Sequence, residues 1–221
     1  MSIIKREKSS TGIYHVLAQG AGNHELFLDD EDYQVFVEYL ARLMKEAWAE
    51  DEDPDRLYFH TYAYCLTPKQ FRLIVKEEKY QVSAIMQSIS QLYSRYYSGK
   101  YNSYGPLYRR RYYSEPINDE ERMETVIRYV HQEPWRLGMA EALDEYSWSS
   151  WHEYVGLGSD LPIVCEKPDA CHNLTAQQWR ELLSKPLPEG TKCPEPKEYR
   201  APKPTETQVL SMVRLMTTAT T

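Results

Sequence analysis

The sequence predicts an α+β domain: a small antiparallel sheet with helices packed on one face. Three observations predict it. Short β-type runs alternate with longer runs of helical period in the order β-α-β-β-α-β-α. That pattern stops near Tyr154, and no segment repeats another. The chain has 221 residues, 42% hydrophobic and 27% charged, which suits one globular domain with an appendage.

The elements follow in order. Ile13 to Ala18 is a β-type run that Gly20-Ala-Gly22 breaks. Asp29-Asp30 offers a helix N-cap and an acidic first turn. Val35, Phe36, Tyr39, Leu40, Leu43, Met44 and Ala47 then repeat at helical spacing up to an acidic loop at 50–55. Two strands, Leu57–Leu66 and Phe71–Lys76, meet at the turn pair Thr67-Pro68. Val82, Ile85, Met86, Ile89, Leu92, Tyr93 and Tyr96 mark a second helix. Tyr104–Ser114 is broken by Gly and Pro and then reads as a strand. Asn118-Asp-Glu-Glu121 caps a third helix with Met123, Val126, Ile127 and Val130 on its buried face, and Pro134 limits its continuation. Beyond residue 157 the chain is Pro-rich. Leu174–Leu183 suggests one short helix, 184–204 a linker, and Thr205–Met216 an amphipathic helical tail.

No apolar run approaches the roughly 20 residues that span a bilayer, and Met1–Lys8 lacks the apolar core of a secretory signal. A cytoplasmic protein with no membrane partner is the expectation. Four cysteines are few: Cys65 reads as a small core residue, and Cys165, Cys171, His172 and Cys193 lack the paired spacing of a zinc site.

The net charge of −7 disfavours casual nucleic-acid binding, but its distribution does not. Residues 1–68 carry −7, residues 69–114 carry +7, residues 115–157 carry −7, and the rest is balanced. A nucleic-acid site is therefore expected on 69–114. Within it, residues 93–113 contain eight tyrosines and five Lys or Arg. Aromatic faces stack on unpaired bases while cations neutralise phosphates. Tyr93 and Tyr96 continue an apolar stripe and belong to the core. Arg95, Tyr97, Lys100, Tyr108, Arg109, Arg110 and Arg111 are the DNA-binding candidates.

Ser9–Val16, Phe27–Asp30, Tyr62–Leu66, Tyr129–Pro134 and Trp148–Tyr154 occur in an order that resembles the REP-associated (insertion-sequence) single-tyrosine transposases of the HUH superfamily. The resemblance spans roughly residues 9 to 156. It implies a ferredoxin-like sheet, and a tyrosine on a helix that attacks single-stranded DNA to form a 5′-phosphotyrosine. It also implies a divalent metal held by a His-hydrophobic-His pair and a side-chain amide. With the composition beyond it, the domain plan is a transposase-like unit over 1–157, a Pro-rich extension and linker over 158–204, and a short helical tail over 205–221, open to being a truncated module.

Carried over by residue, the nucleophile position is Tyr129, and it is retained. The two histidine positions are Gln70 and Arg72, and the amide position is Glu133. Gln70 and Arg72 share one face of a strand, but a guanidinium has no acceptor for a metal. Only Gln70 and Glu133 remain as weak candidates for a hard cation. The two departures are complementary in charge: Arg72 can pair with Glu133 where the metal is lost. Gln19 stands where the resemblance implies arginine. His15 and His60 lie in apolar strand runs and read as hydrogen-bonded core or sheet histidines, and His131, two residues after Tyr129, points elsewhere on its helix.

Three readings follow. The first is a catalytically impaired transposase-type protein that binds single-stranded or hairpin DNA, with no cofactor. The second is an active transposase using Tyr129 and a weak Mg or Mn site. The third is a remnant scaffold acting as a protein-interaction module. The sequence leaves a homodimer open.

Overall fold

The structure, a computed structural model, describes residues 7–22, 24–45, 57–109, 112–158, 160–168 and 173–193. Four strands, β1 (Ile13–Gln19), β2 (Phe59–Thr67), β3 (Gln70–Glu77) and β4 (Tyr113–Ile117), form one antiparallel sheet in the order β2-β3-β1-β4. The helices are α1 (Asp30–Lys45), α2 (Val82–Tyr101), α3 (Glu120–His131), α4 (Glu133–Arg136), α5 (Trp151–Val155) and α6 (Ala176–Ser184). The α+β class and the ferredoxin-like arrangement of strands agree with the expectation.

Alternation along the central strands divides the sheet into two faces. Tyr14, Val16, Ala18, Phe71, Leu73 and Val75 point to one face and pack with Phe36, Leu40, Ile85 and Ile89 of α1 and α2. The opposite face is also covered, in addition to the expected layer. There Cys65, Ile74 and Ile117 pack with Val126, Ile127 and Val130 of α3, Trp151 and Tyr154 of α5, and Trp179 and Leu183 of α6. Part of the stretch expected as a loose extension thus contributes core side chains, including the buried Val164.

Local chemistry sets the element ends. The first turn of α1 is closed by Asp29, whose side chain accepts from Asp32 N. Asp119 caps α3 by accepting from Arg122 N at 2.7 Å. Helix α2 runs five residues past its expected stripe and stops at Asn102, in the left-handed region at φ 48. The fourth strand differs most from expectation, which placed it at Tyr104–Ser114. The chain first crosses the end of β1, where Arg109 N bonds Gln19 O and Tyr108 bridges Gly20. Continuous pairing begins only at Tyr113. Pro116, which lacks a donor, is tolerated because β4 is an edge. The expected short helix at 174–183 is observed as α6, and the tail at 205–216 lies outside the described residues.

His131 ties α3 to the start of α5. Its ring nitrogens contact Ile127 O at 2.9 Å and Ser150 Oγ at 2.8 Å. Burial pulls its pKa down to about 4. A folded value below the unfolded 6.5 means that the unfolded chain binds more protons as the pH falls. His131 therefore leaves the fold unperturbed above about pH 6.5 and weakens it towards pH 4, by up to roughly 3 kcal/mol. Burial pushes Glu153 up to about 7, which acts in the opposite sense over part of that range, so the useful readout is a difference. In urea denaturation, the stability of the native chain relative to His131→Asn is expected to shrink between about pH 7 and pH 4.5. A pH-independent difference would refute this account.

Candidate functional site

The register of β1 and β3 builds the floor of the site. Arg72 lies opposite Leu17 of β1 and Cys65 of β2, and Gln70 lies opposite Gln19. Gln70 and Arg72 share the face under α3, as their spacing predicts. A break in the helix builds the roof. Helix α3 ends at His131, Gln132 takes a non-continuing turn, and Pro134 enters at the start of α4. Glu133 is thus the first residue of a new short helix, and not a fourth-residue neighbour of Tyr129 on one helix. The break still delivers both to the same place.

The four residues converge. Arg72 is fully buried, and its Nε lies 3.0 Å from Oε1 of Glu133, itself 2% exposed. The contact is an ion pair and not a linear hydrogen bond. Gln70 Nε2 donates to the same carboxylate oxygen. The other oxygen, Oε2, accepts from Arg136 Nη2, three residues along. Both oxygens of Glu133 are therefore engaged by protein donors. Burial lowers the Arg136 pKa, Glu133 holds it up and Arg72 pulls it down.

Tyr129 lies between the two cations. The Arg136 guanidinium is 3.7 Å and that of Arg72 4.9 Å from its ring centroid. His15 meets it edge-on at 6.1 Å. Tyr129 is 3% exposed yet belongs to neither apolar cluster. Its hydroxyl is buried with no hydrogen-bond partner among the described residues, and so is His15 Nε2. An activated tyrosine needs a base or a metal at its hydroxyl, and no hydrogen bond joins these two atoms.

The chain's metal-ligating residues fit a divalent ion poorly at this position. A guanidinium cannot ligate, and Arg72 places a positive charge where the resemblance implies two imidazoles. A separate group, His15, Glu115 and Cys193, has potential ligand atoms within 4.8 Å of one another. Arg122 already contributes a cation there, 2.9 Å from Glu115 and 3.6 Å from the Cys193 sulfur. His15 Nδ1 is 2.9 Å from Glu115. Burial lowers the His15 pKa and pushes the Cys193 thiol up to about 11. Cys171 and His172, whose spacing to Cys193 does not suit a zinc site, lie outside the described residues.

The DNA-binding candidates scatter. Tyr97 is buried, with its hydroxyl on Glu25 O, so its ring offers no face for stacking. Lys100 is held by Asp29 at 2.7 Å, Glu31 at 2.9 Å and Asp32 at 3.0 Å. The acidic first turn of α1 thus captures the last turn of α2, and the expectation of Tyr97 and Lys100 as exposed contacts is corrected. Tyr108 turns its hydroxyl inward and packs against Phe71. Arg95 is exposed. Arg109 is half-buried at the end of β1, and Arg110 and Arg111 lie outside the described residues. The amide of Gln19 is near the floor, its Oε1 buried without a hydrogen bond among the described residues.

Sequence reasoning missed Arg136 and His15. The Glu133/Arg136 spacing of three was a legible signal for the first. The second needed the strand register.

No family model matches the chain, and no curated protein does. Among solved structures, the chain is similar to a REP-associated tyrosine transposase bound to a REP hairpin, at 14% sequence identity and a TM-score of 0.57. The similarity covers 76% of this chain and 99% of that one. The shared property is the fold. Among the described residues no helix is long and apolar enough to cross a membrane.

The ion pair generates a stability prediction. Glu133→Leu leaves the Arg72 charge buried and without its carboxylate, and is expected to cost roughly 3–5 kcal/mol. The double variant Arg72→Met/Glu133→Leu should recover most of that loss. Guanidinium denaturation of the native chain, both single variants and the double gives the coupling; additive losses would refute the pairing.

Proposed function

We propose that this chain is a member of the single-tyrosine transposase group that binds single-stranded or hairpin DNA and has lost metal-dependent cleavage. The observation that carries the reading is the buried Arg72–Glu133 pair, at 3.0 Å, on the positions that the resemblance gives to metal ligands. In an active site of that group, a metal would polarise the phosphate and help the tyrosine attack it. Here the positive charge is a side chain, and Glu133 is already neutralised by Arg72 and Arg136. Tyr129 remains, but its hydroxyl is enclosed and has no base on it among the described residues.

Support for the DNA partner comes from two directions. The similar solved structure is of a transposase bound to a REP hairpin. Residues 69–114 carry a net +7 in a chain that is otherwise acidic. The exposed Arg95 and the cations of 109–111 remain the candidates of that segment, since Lys100 is engaged within the fold.

The test is a gel assay with labelled hairpin DNA, with and without Mn2+, comparing the native chain with Tyr129→Phe. A shift without a covalent adduct, equal for both chains and independent of Mn2+, is expected. An adduct that disappears in Tyr129→Phe would favour the active reading, with Gln70 and Glu133 as weak ligands. No shift at all would favour a remnant scaffold that contacts other proteins.

A further inference from the structure

The face of the sheet under α3 and α6 opens into a groove of about 640 Å³. Ile13, Ile117, Met123, Ile127, Trp179 and Leu182 form its apolar lining. It lies along the first half of α3, whereas Tyr129 and Glu133 belong to the far end of that helix and the turn beyond it. The rim carries Asp119, Glu120, Glu121 and Glu124 against one cation, Lys76. Asp119 is engaged as the cap of α3, and Glu124 lies 3.5 Å from Arg128. Glu120 and Glu121 are exposed and form no ion pair among the described residues. Acidic residues suit the first turn of a helix by themselves, so the carboxylates alone do not call for a partner. The apolar groove beside them does.

The chain enters the fold at this rim. Ser9 N donates to the Tyr14 hydroxyl at 3.0 Å, Ser9 Oγ to Ile117 O at 3.3 Å, and Ser10 N to Asn118 Oδ1 at 2.9 Å. Thr11, Ile117 and Asn118 all line the groove. Before the described Glu7 come Met1-Ser-Ile-Ile-Lys-Arg6, apolar first and basic second. From Ser9 back to Ile4 is five residues, a reach of at most about 17 Å.

We infer that the groove is the seat of the chain's own residues 1–6, with Ile3 and Ile4 against the apolar lining and Lys5 and Arg6 on the carboxylates of Glu120 and Glu121. Reach, polarity and charge agree. The tether is short, so closing it costs little entropy. Seating two isoleucines removes apolar surface of both arm and groove from water. The two cations of the arm meet a rim where carboxylates outnumber lysine four to one. Another apolar segment outside the described residues, 209–216, follows Cys193 only after fifteen residues, so its tether is longer. This surface is separate from the Tyr129 site and does not depend on the DNA-binding reading.

The test uses the full chain and a carbodiimide, which joins an amine to a carboxylate in contact with it. Mass spectrometry of the monomer fraction is expected to show Lys5 joined to Glu120 or Glu121. The variant Ile3→Asp/Ile4→Asp keeps Lys5 and alters no described residue. It is expected to lower the yield of that link about tenfold. Methyl NMR gives a second readout: a contact between the Met123 methyl and Ile3 or Ile4 is expected in the native chain and lost in the double variant. An unchanged yield in Ile3→Asp/Ile4→Asp would overturn the assignment, since the link would then report charge alone. Links from Lys5 that form only between two copies would seat the arm on a second chain and overturn it as well. A Met123 contact with Leu210 or Met212 in place of Ile3 or Ile4 would give the groove to the later segment. Absence of both the link and the methyl contact would refute the seat outright.

Discussion

A guanidinium at the centre of a sheet constrains what can surround it. Arg72 is fully buried on β3, between Leu17 and Cys65. Removing such a charge from water costs several kcal/mol unless an opposite charge meets it. Glu133 is that charge, and its position depends on the helix break before Pro134. The same carboxylate then orients Gln70 and draws Arg136 over the Tyr129 ring. The two guanidiniums near the tyrosine ring are both held by this one carboxylate. Losing the carboxylate would release each of these contacts together.

The basic segment shows how charge density along a sequence differs from charge on a surface. Asp32 is buried and accepts from Tyr96, Tyr101, Lys100 and Leu28 N. It gathers part of the tyrosine-rich, cationic run of α2 into an internal network. Helix α1 begins where α2 ends, so an acidic start meets a basic finish, as the helix dipoles favour. Nearby cations can therefore stabilise the fold without contributing to a nucleic-acid surface.

Much of the fold was legible because it rests on periodicity. Phe71, Leu73 and Val75 alternate, and Val82, Ile85, Met86 and Ile89 repeat at helical spacing. The convergence of Gln70, Arg72, Tyr129 and Glu133 was legible only through the resemblance, since no local pattern joins β3 to α3. Other parts depend on long-range contacts. The start of β4 at Tyr113 depends on where Arg109 meets Gln19. The second core layer depends on Trp179 and Leu183, which sit in a Pro-rich stretch of weak periodicity. The burial of Tyr97 depends on the approach of Glu25 from another loop. In each case the deciding partner is distant in sequence, and pattern alone does not name it.

On the proposed reading, Arg72 also changes what kind of object the site is. A bound ion comes and goes with its concentration, and a site that uses one can be emptied or refilled by its surroundings. A charge on a side chain cannot leave. The buried cluster around Tyr129 carries its cation from synthesis to degradation, whatever the supply of magnesium or manganese. A site of that kind has no empty state to be regulated through, and only a movement of the chain itself could uncover the tyrosine.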